Sequence, residues 1–212
     1  MDGPVWGVLV NAFVAFFVII DPPGIMPVFG ALVDGTDKAH QRLMAVRSVA
    51  IAAVVLLLFA LLGERLLLAL GIGMPAFRVA GGIMLLLLAL EMVFEKRGER
   101  REKRVEGHHE ADGHEDISVF PMAIPMIAGP GALTSVVLLM SQHAGNMAMQ
   151  AAVLGMLGLV LVLCLVMFLA SASILALAGK TFSQVVTRTL GIILAALAVQ
   201  FIFDGARVAF AG

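Results

Sequence analysis

The chain has 212 residues, of which 61% are hydrophobic and 14% charged. A soluble domain carries about 25% charged residues, so the composition excludes a water-soluble globule and fits one membrane domain, residues 1–212. A formal net charge of −1 gives no basis for nucleic-acid binding, and the single cysteine, Cys164, excludes an intrachain disulfide.

A helix needs about 20 apolar residues to cross a bilayer. Met1-Asp2-Gly3-Pro4 lacks a basic n-region and the following apolar run is too long for an h-region, so no signal peptide is expected. The first span reads as Val5–Val33, broken at 21–24 by Asp21-Pro22-Pro23-Gly24. The second is Leu43–Gly63, with an apolar tail, Leu66–Ile72, assigned to the interface; the third is Met74–Phe94. A charged connector, residues 95–116, holds six Lys/Arg, eight Asp/Glu and three His. The fourth span, Ile117–Met140, is broken at 129–131 by Gly129-Pro130-Gly131. Ala151–Ala178 and Val185–Phe210 complete six spans. Gly81, Gly82, Ala152, Gly155 and Gly158 are small residues suited to close helix packing.

The connector divides two similar halves, 5–95 and 117–210. A shift of 107 residues sets Ile20-Asp21-Pro22-Pro23-Gly24 on Ile127-Ala128-Gly129-Pro130-Gly131. A shift of 109 sets Gly82-Ile83-Met84-Leu85 on Gly191-Ile192-Ile193-Leu194, and Glu91 on Gln200. Three spans per half is an odd number, so the second half enters from the opposite side. The predicted fold is an all-α membrane protein of two inverted three-helix repeats, the first helix of each broken at mid-membrane. Eleven Lys/Arg fall on the connector side and three on the side of the termini, which predicts a cytoplasmic connector and both termini outside.

Broken backbone at membrane depth is tolerated only inside protein or around a polar cavity, and paired breaks point to a transporter's binding site. Asp21 reads as an N-cap with Pro22 at the first helical position, since a residue before proline avoids the α region. The N–H groups of Gly24, Ile25 and Met26 are the expected free donors of the first break; those of Gly131, Ala132 and Leu133 are their mates in the second. Gly129 of the second break belongs to the expected substrate-binding set, and Thr134 and Ser135 add hydroxyls, for substrate or for their own helix. Two half-helix N-termini, each carrying about +0.5 charge, would attract an anion. A carboxylate in the middle of a span costs about 2.5–3.5 kcal/mol on insertion scales. Asp21 therefore needs a partner: its own half-helix N-terminus, a substrate ammonium or a proton. Two positive helix ends and one carboxylate suit a zwitterion. A plain capping role for Asp21 is the competing reading.

Glu91 is either a snorkelling carboxylate or, like Asp21, a proton-coupling group. Glu64 with Arg78, and Asp204 with Arg207, are expected ion pairs; Asn11 and Arg188 read as packing or interfacial residues. The connector's His108, His109 and His114 match no zinc template, so it reads as a solvated linker with no metal and no cofactor. Its Lys96, Arg97, Arg100, Arg101, Lys103 and Arg104 are assigned to anionic lipid headgroups.

At these residues the chain resembles the MarC family of six-helix membrane proteins, also called the neutral amino acid transporter family. The matching pieces are Asp21-Pro22-Pro23-Gly24 with Pro27 and Phe29, and Met74-Pro75-Ala76-Phe77-Arg78-Val79-Ala80-Gly81-Gly82. In the second half they are Pro121-Met122-Ala123-Ile124-Pro125, Ala128-Gly129-Pro130-Gly131, Arg188-Thr189-Leu190-Gly191 and Val199-Gln200-Phe201-Ile202-Phe203-Asp204-Gly205. One departure is Ile25, where many members carry asparagine. The resemblance implies a bacterial or archaeal cytoplasmic (inner) membrane protein and, for some members, transport of glycine or alanine.

The function expected is therefore a secondary transporter of small neutral amino acids, proton-coupled and working by alternating access, with lipid around it and a homo-oligomer left open. An intramembrane protease lacks any paired catalytic motif, so no enzyme is expected. A membrane scaffold or sensor, and a cation or metabolite exporter, are the competing readings.

Overall fold

The computed structural model describes residues 3–97, 100 and 116–211, and every regular element among them is helical. The first span divides into α1 (Gly3–Ile20) and α2 (Pro22–Leu32). Pro22 and Pro23 lack the N–H groups that the Val18 and Ile19 carbonyls need four residues on, so α1 must stop. Asp21 bridges the two pieces at φ 58°, ψ 61° and caps α2. This is the left-handed region, which aspartate tolerates better than most residues.

α3 (Lys38–Ala69) is capped by Asp37, whose carboxylate accepts from His40 N–H at 2.8 Å. It runs unbroken past Gly63, so most of the expected interfacial tail continues the second span. α4 (Met74–Val93) starts on Pro75 in its first turn. The fourth span is bent by 55° between α5 (Ser118–Ile127) and α6 (Pro130–Gln142). α5 is irregular: Phe120 and Ile124 have extended backbone ahead of Pro121 and Pro125, as the residue before proline prefers.

α7 spans Met147–Leu169 and α8 runs Ser171–Ala211. The expected fifth span to Ala178 is thus cut at Ala170. There the chain turns and Ser171 is buried against Gly30 of α2. At 41 residues α8 is about 60 Å long, twice the hydrocarbon thickness. Its apolar, membrane-length part is Ser183–Phe210. Among the described residues, and with α1 and α2 counted together, five helical spans are long and apolar enough to cross a membrane, six if the bent α5–α6 pair counts as one more.

The buried core collects Phe16 and Ile20 of α1, Ile25 and Phe29 of α2, Met122 and Ile127 of α5, and Leu138 of α6. Phe29 stacks on Phe168 of α7, ring centroids 4.5 Å apart. α4 and α8 form the most extensive helix pair. Their contact is set by glycine: a β-carbon on Gly82 would lie 2.8 Å from the Ala198 carbonyl, and one on Gly191 would lie 2.8 Å from Met92 Cβ. Gly155 and Gly158, also expected to pack closely, face open space. Cys164 is fully buried.

Candidate functional site

The two breaks are neighbours. A β-carbon on Gly131 would lie 3.3 Å from Ile19 Cγ2, so the start of α6 is pressed against the end of α1. A cavity of about 210 Å³ opens at this junction. Its walls are residues 125–127 and 129–132 of the second break, Ile19, Leu88, and the charged residues Glu91, Arg97 and Arg100. Gly129, the N-cap of α6, must be glycine because a β-carbon there would lie 2.5 Å from the Pro125 carbonyl. The first turn of α6 closes with Leu133 N–H on Gly129 O at 3.0 Å. Gly131 and Ala132, whose N–H groups precede that bond in the first turn, line the cavity.

Asp21 lies beside this cavity rather than in its wall, and its side chain has no solvent exposure. Thr187 of α8 donates to both carboxylate oxygens, at 2.9 and 3.1 Å. Gly24 N–H donates to Oδ1 at 3.2 Å. Arg97 brings Nη1 to 3.8 Å from Oδ2. The expected free donors of the first break are not free: Gly24 and Ile25 N–H also bond the Asp21 carbonyl, at 2.9 and 3.1 Å. Ile25 and Met26 are buried outside the cavity wall. The carboxylate is therefore answered from within the protein, which removes the argument that it requires a substrate ammonium. Ser183 donates to the Pro23 carbonyl, a second tie from α8 to the break.

Glu91 pairs with Arg100 at 2.8 Å and keeps 24% of its side chain exposed. Arg97 and Arg100 thus contact protein groups and line the cavity, with 60% of the Arg100 side chain still exposed, and Lys96 is exposed; Arg101, Lys103, Arg104 and the three connector histidines lie outside the described residues. Thr134 and Ser135 do not line the cavity. The Thr134 methyl packs on Gly81, and Ser135 is fully buried with no partner for its hydroxyl. Among the described residues no Glu64–Arg78 or Asp204–Arg207 pair forms. Asp204 accepts instead from Gln200 Nε2 at 2.9 Å, one helical turn back, and Arg188 pairs with Glu95 at 2.6 Å.

Arg97, Thr187 and Ser183 were not legible as site residues. They come from 78, 166 and 160 residues away along the chain. The only available signal was the basic cluster after α4, whose first arginine can fold back on the helix it follows.

Nearly the whole chain is matched by a known family: the family model of MarC family integral membrane proteins covers residues 6–210. The chain belongs to the MarC family. A UPF0056 membrane protein of Methanocaldococcus jannaschii is 36% identical over 197 residues, 92% of this chain and 94% of its own. YvbG of Bacillus subtilis, a UPF0056 membrane protein, is 32% identical over 95% of both chains. The UPF0056 inner membrane protein YhgN of Escherichia coli is 30% identical over 94% of this chain and 96% of its own. These MarC relatives span bacteria and archaea and match nearly the full length. No solved structure matches the chain.

Proposed function

We propose that this MarC protein is a secondary transporter of small neutral amino acids such as glycine or alanine, working by alternating access across the cytoplasmic (inner) membrane. The observation that carries this reading is the cavity at the junction of the two breaks. Its wall offers a helix N-terminus and two arginines to a carboxylate, and Glu91 to an ammonium. At about 210 Å³ it is smaller than the 300–1,000 Å³ typical of drug-sized ligands, which favours a solute of a few heavy atoms. Two arginines in the wall also disfavour export of a metal cation.

Glycine packing supports an inverted repeat. Gly82 meets Ala198 and Ile202 of α8, while Gly191 meets Ala89 and Val93 of α4. Every residue of the first contact is 109 positions from its counterpart in the second, as a pseudo-two-fold axis between α4 and α8 requires. Basic residues favour a cytoplasmic connector with both termini outside, and YhgN carries the name of an inner membrane protein. Coupling is assigned to protons, carried by Asp21 or Glu91.

Glu91→Gln tests the assignment. In proteoliposomes it should raise the apparent KM for glycine at least about tenfold, the scale of a lost charge-assisted bond, with the melting temperature little changed. An unaltered KM would remove Glu91, and with it this view of the cavity.

A further inference from the structure

The two prolines of the first break create an acceptor site as well as a kink. Without N–H groups at Pro22 and Pro23, the Val18 and Ile19 carbonyls lose their helical donors. They stand at the C-terminal, partially negative end of α1. The buried Asp21 carboxylate adds a full negative charge beside them. Among the described residues, the planar cation at this place is Arg97. Arg97 Nη2 donates to the Ile19 carbonyl at 3.1 Å, and Nη1 lies 3.8 Å from Asp21 Oδ2 and 3.1 Å from Met92 Sδ. Only 11% of the Arg97 side chain is exposed, yet it forms part of the cavity wall. The guanidinium therefore sits between the cavity and the acidic end of α1.

We propose that the Ile19 carbonyl and the Asp21 carboxylate form a subsite for organic cations, primary ammonium or guanidinium, and that Arg97 is its tethered occupant. On the transport reading above, on which this consequence rests, a solute's ammonium first met by Glu91 passes on to this subsite and displaces the guanidinium, which turns to the solute's carboxylate in the cavity. A residue after α4 then reports occupancy to the broken helix. The subsite itself requires only binding, so it can fail while glycine transport stands, and the reverse.

The test is thermal unfolding of purified protein with methylguanidinium chloride at low millimolar concentration, against potassium chloride at equal ionic strength. Arg97→Gln should lower Tm by about 4 °C or more, the scale for one lost charge-assisted bond in a chain of this size. Methylguanidinium should restore it saturably and potassium should not. Adding Asp21→Asn should abolish the restoration; asparagine also adopts the left-handed conformation, so the break is kept. No saturable restoration, equal restoration by potassium, or restoration that survives Asp21→Asn would each overturn the proposal. If Arg97→Gln does not fold alone, purification in methylguanidinium must recover a cooperative melting transition that potassium at equal ionic strength does not; no such recovery overturns the proposal equally.

Discussion

Thr187 donates to both carboxylate oxygens of Asp21 from 166 residues away, tying the start of the last span to the break in the first. A hydrogen bond to a charged group contributes about 1.5–3 kcal/mol, more when the group is buried. Thr187→Val keeps the shape and removes the donor. It should lower the melting temperature by several degrees, whereas Thr189→Val, whose hydroxyl returns to its own helix at Val185 O, should change it little. Equal effects from the two would mean that the Asp21 contact contributes nothing.

Glycines on these helices divide into two kinds with opposite expected signs. Gly82→Ala and Gly205→Ala place a methyl group 2.8 Å from a backbone carbonyl, of Ala198 and Pro75 respectively. Neither carbonyl can swing away as a side chain can, so each variant should lose about 1–3 kcal/mol. Gly155→Ala and Gly158→Ala meet nothing within 4 Å, and should be neutral or gain up to about 1 kcal/mol from helix propensity. Unfolding in mild denaturing detergent would rank the four.

Asp116, where the connector meets α5, gives a pH dependence with a definite sign. Its carboxylate accepts from the Ser118 hydroxyl and N–H, and pairs with Arg47 of α3 at 2.9 Å. The Ser118 bonds, then Arg47 and His40, hold its carboxyl below the usual range against a smaller opposing effect of burial. A depressed carboxylate stabilises the fold above its unfolded pKa, about 3.9, and that contribution is lost as pH falls through the lower folded value. Wild type should therefore exceed Asp116→Asn in melting temperature near neutrality, and the gap should narrow as the pH falls below the unfolded carboxylate's pKa. A gap that widens on acidification would reverse the sign.

The start of the connector reaches the cavity. Arg97 and Arg100 contact Asp21 and Glu91, so they belong to the site. Replacing residues 101–115 with a Gly/Ser segment of equal length should leave glycine transport within about twofold. Loss of transport would make the histidine-bearing segment part of the mechanism.

Much of the frame was legible because proline and glycine act locally. Asp21-Pro22-Pro23-Gly24 places the cap and the first break, and Gly129-Pro130-Gly131 places the second. Pro121 and Pro125 carried the same kind of signal for the irregular α5, hidden by an apolar run long enough to read as plain helix. Hydropathy could not end the fifth span at Ala170, because Ser171 turns there to pack on Gly30, a contact set by tertiary structure. The partners of Asp21 were invisible for the same reason: no periodicity links it to Arg97 or Thr187. Those partners shift the weight of the site from Asp21 to the cavity formed by Glu91, Arg100 and the start of α6.

The central claim is that this cavity carries a small zwitterion across the membrane. Counterflow in proteoliposomes tests it most directly: vesicles loaded with unlabelled glycine, alanine or serine are diluted into the labelled solute, with and without a pH gradient. A carrier of this kind gives transient accumulation of label that depends on the protein, is strongest for glycine and alanine, and responds to the gradient. Absence of accumulation with all three solutes, in protein whose melting temperature shows it to be folded, would contradict it.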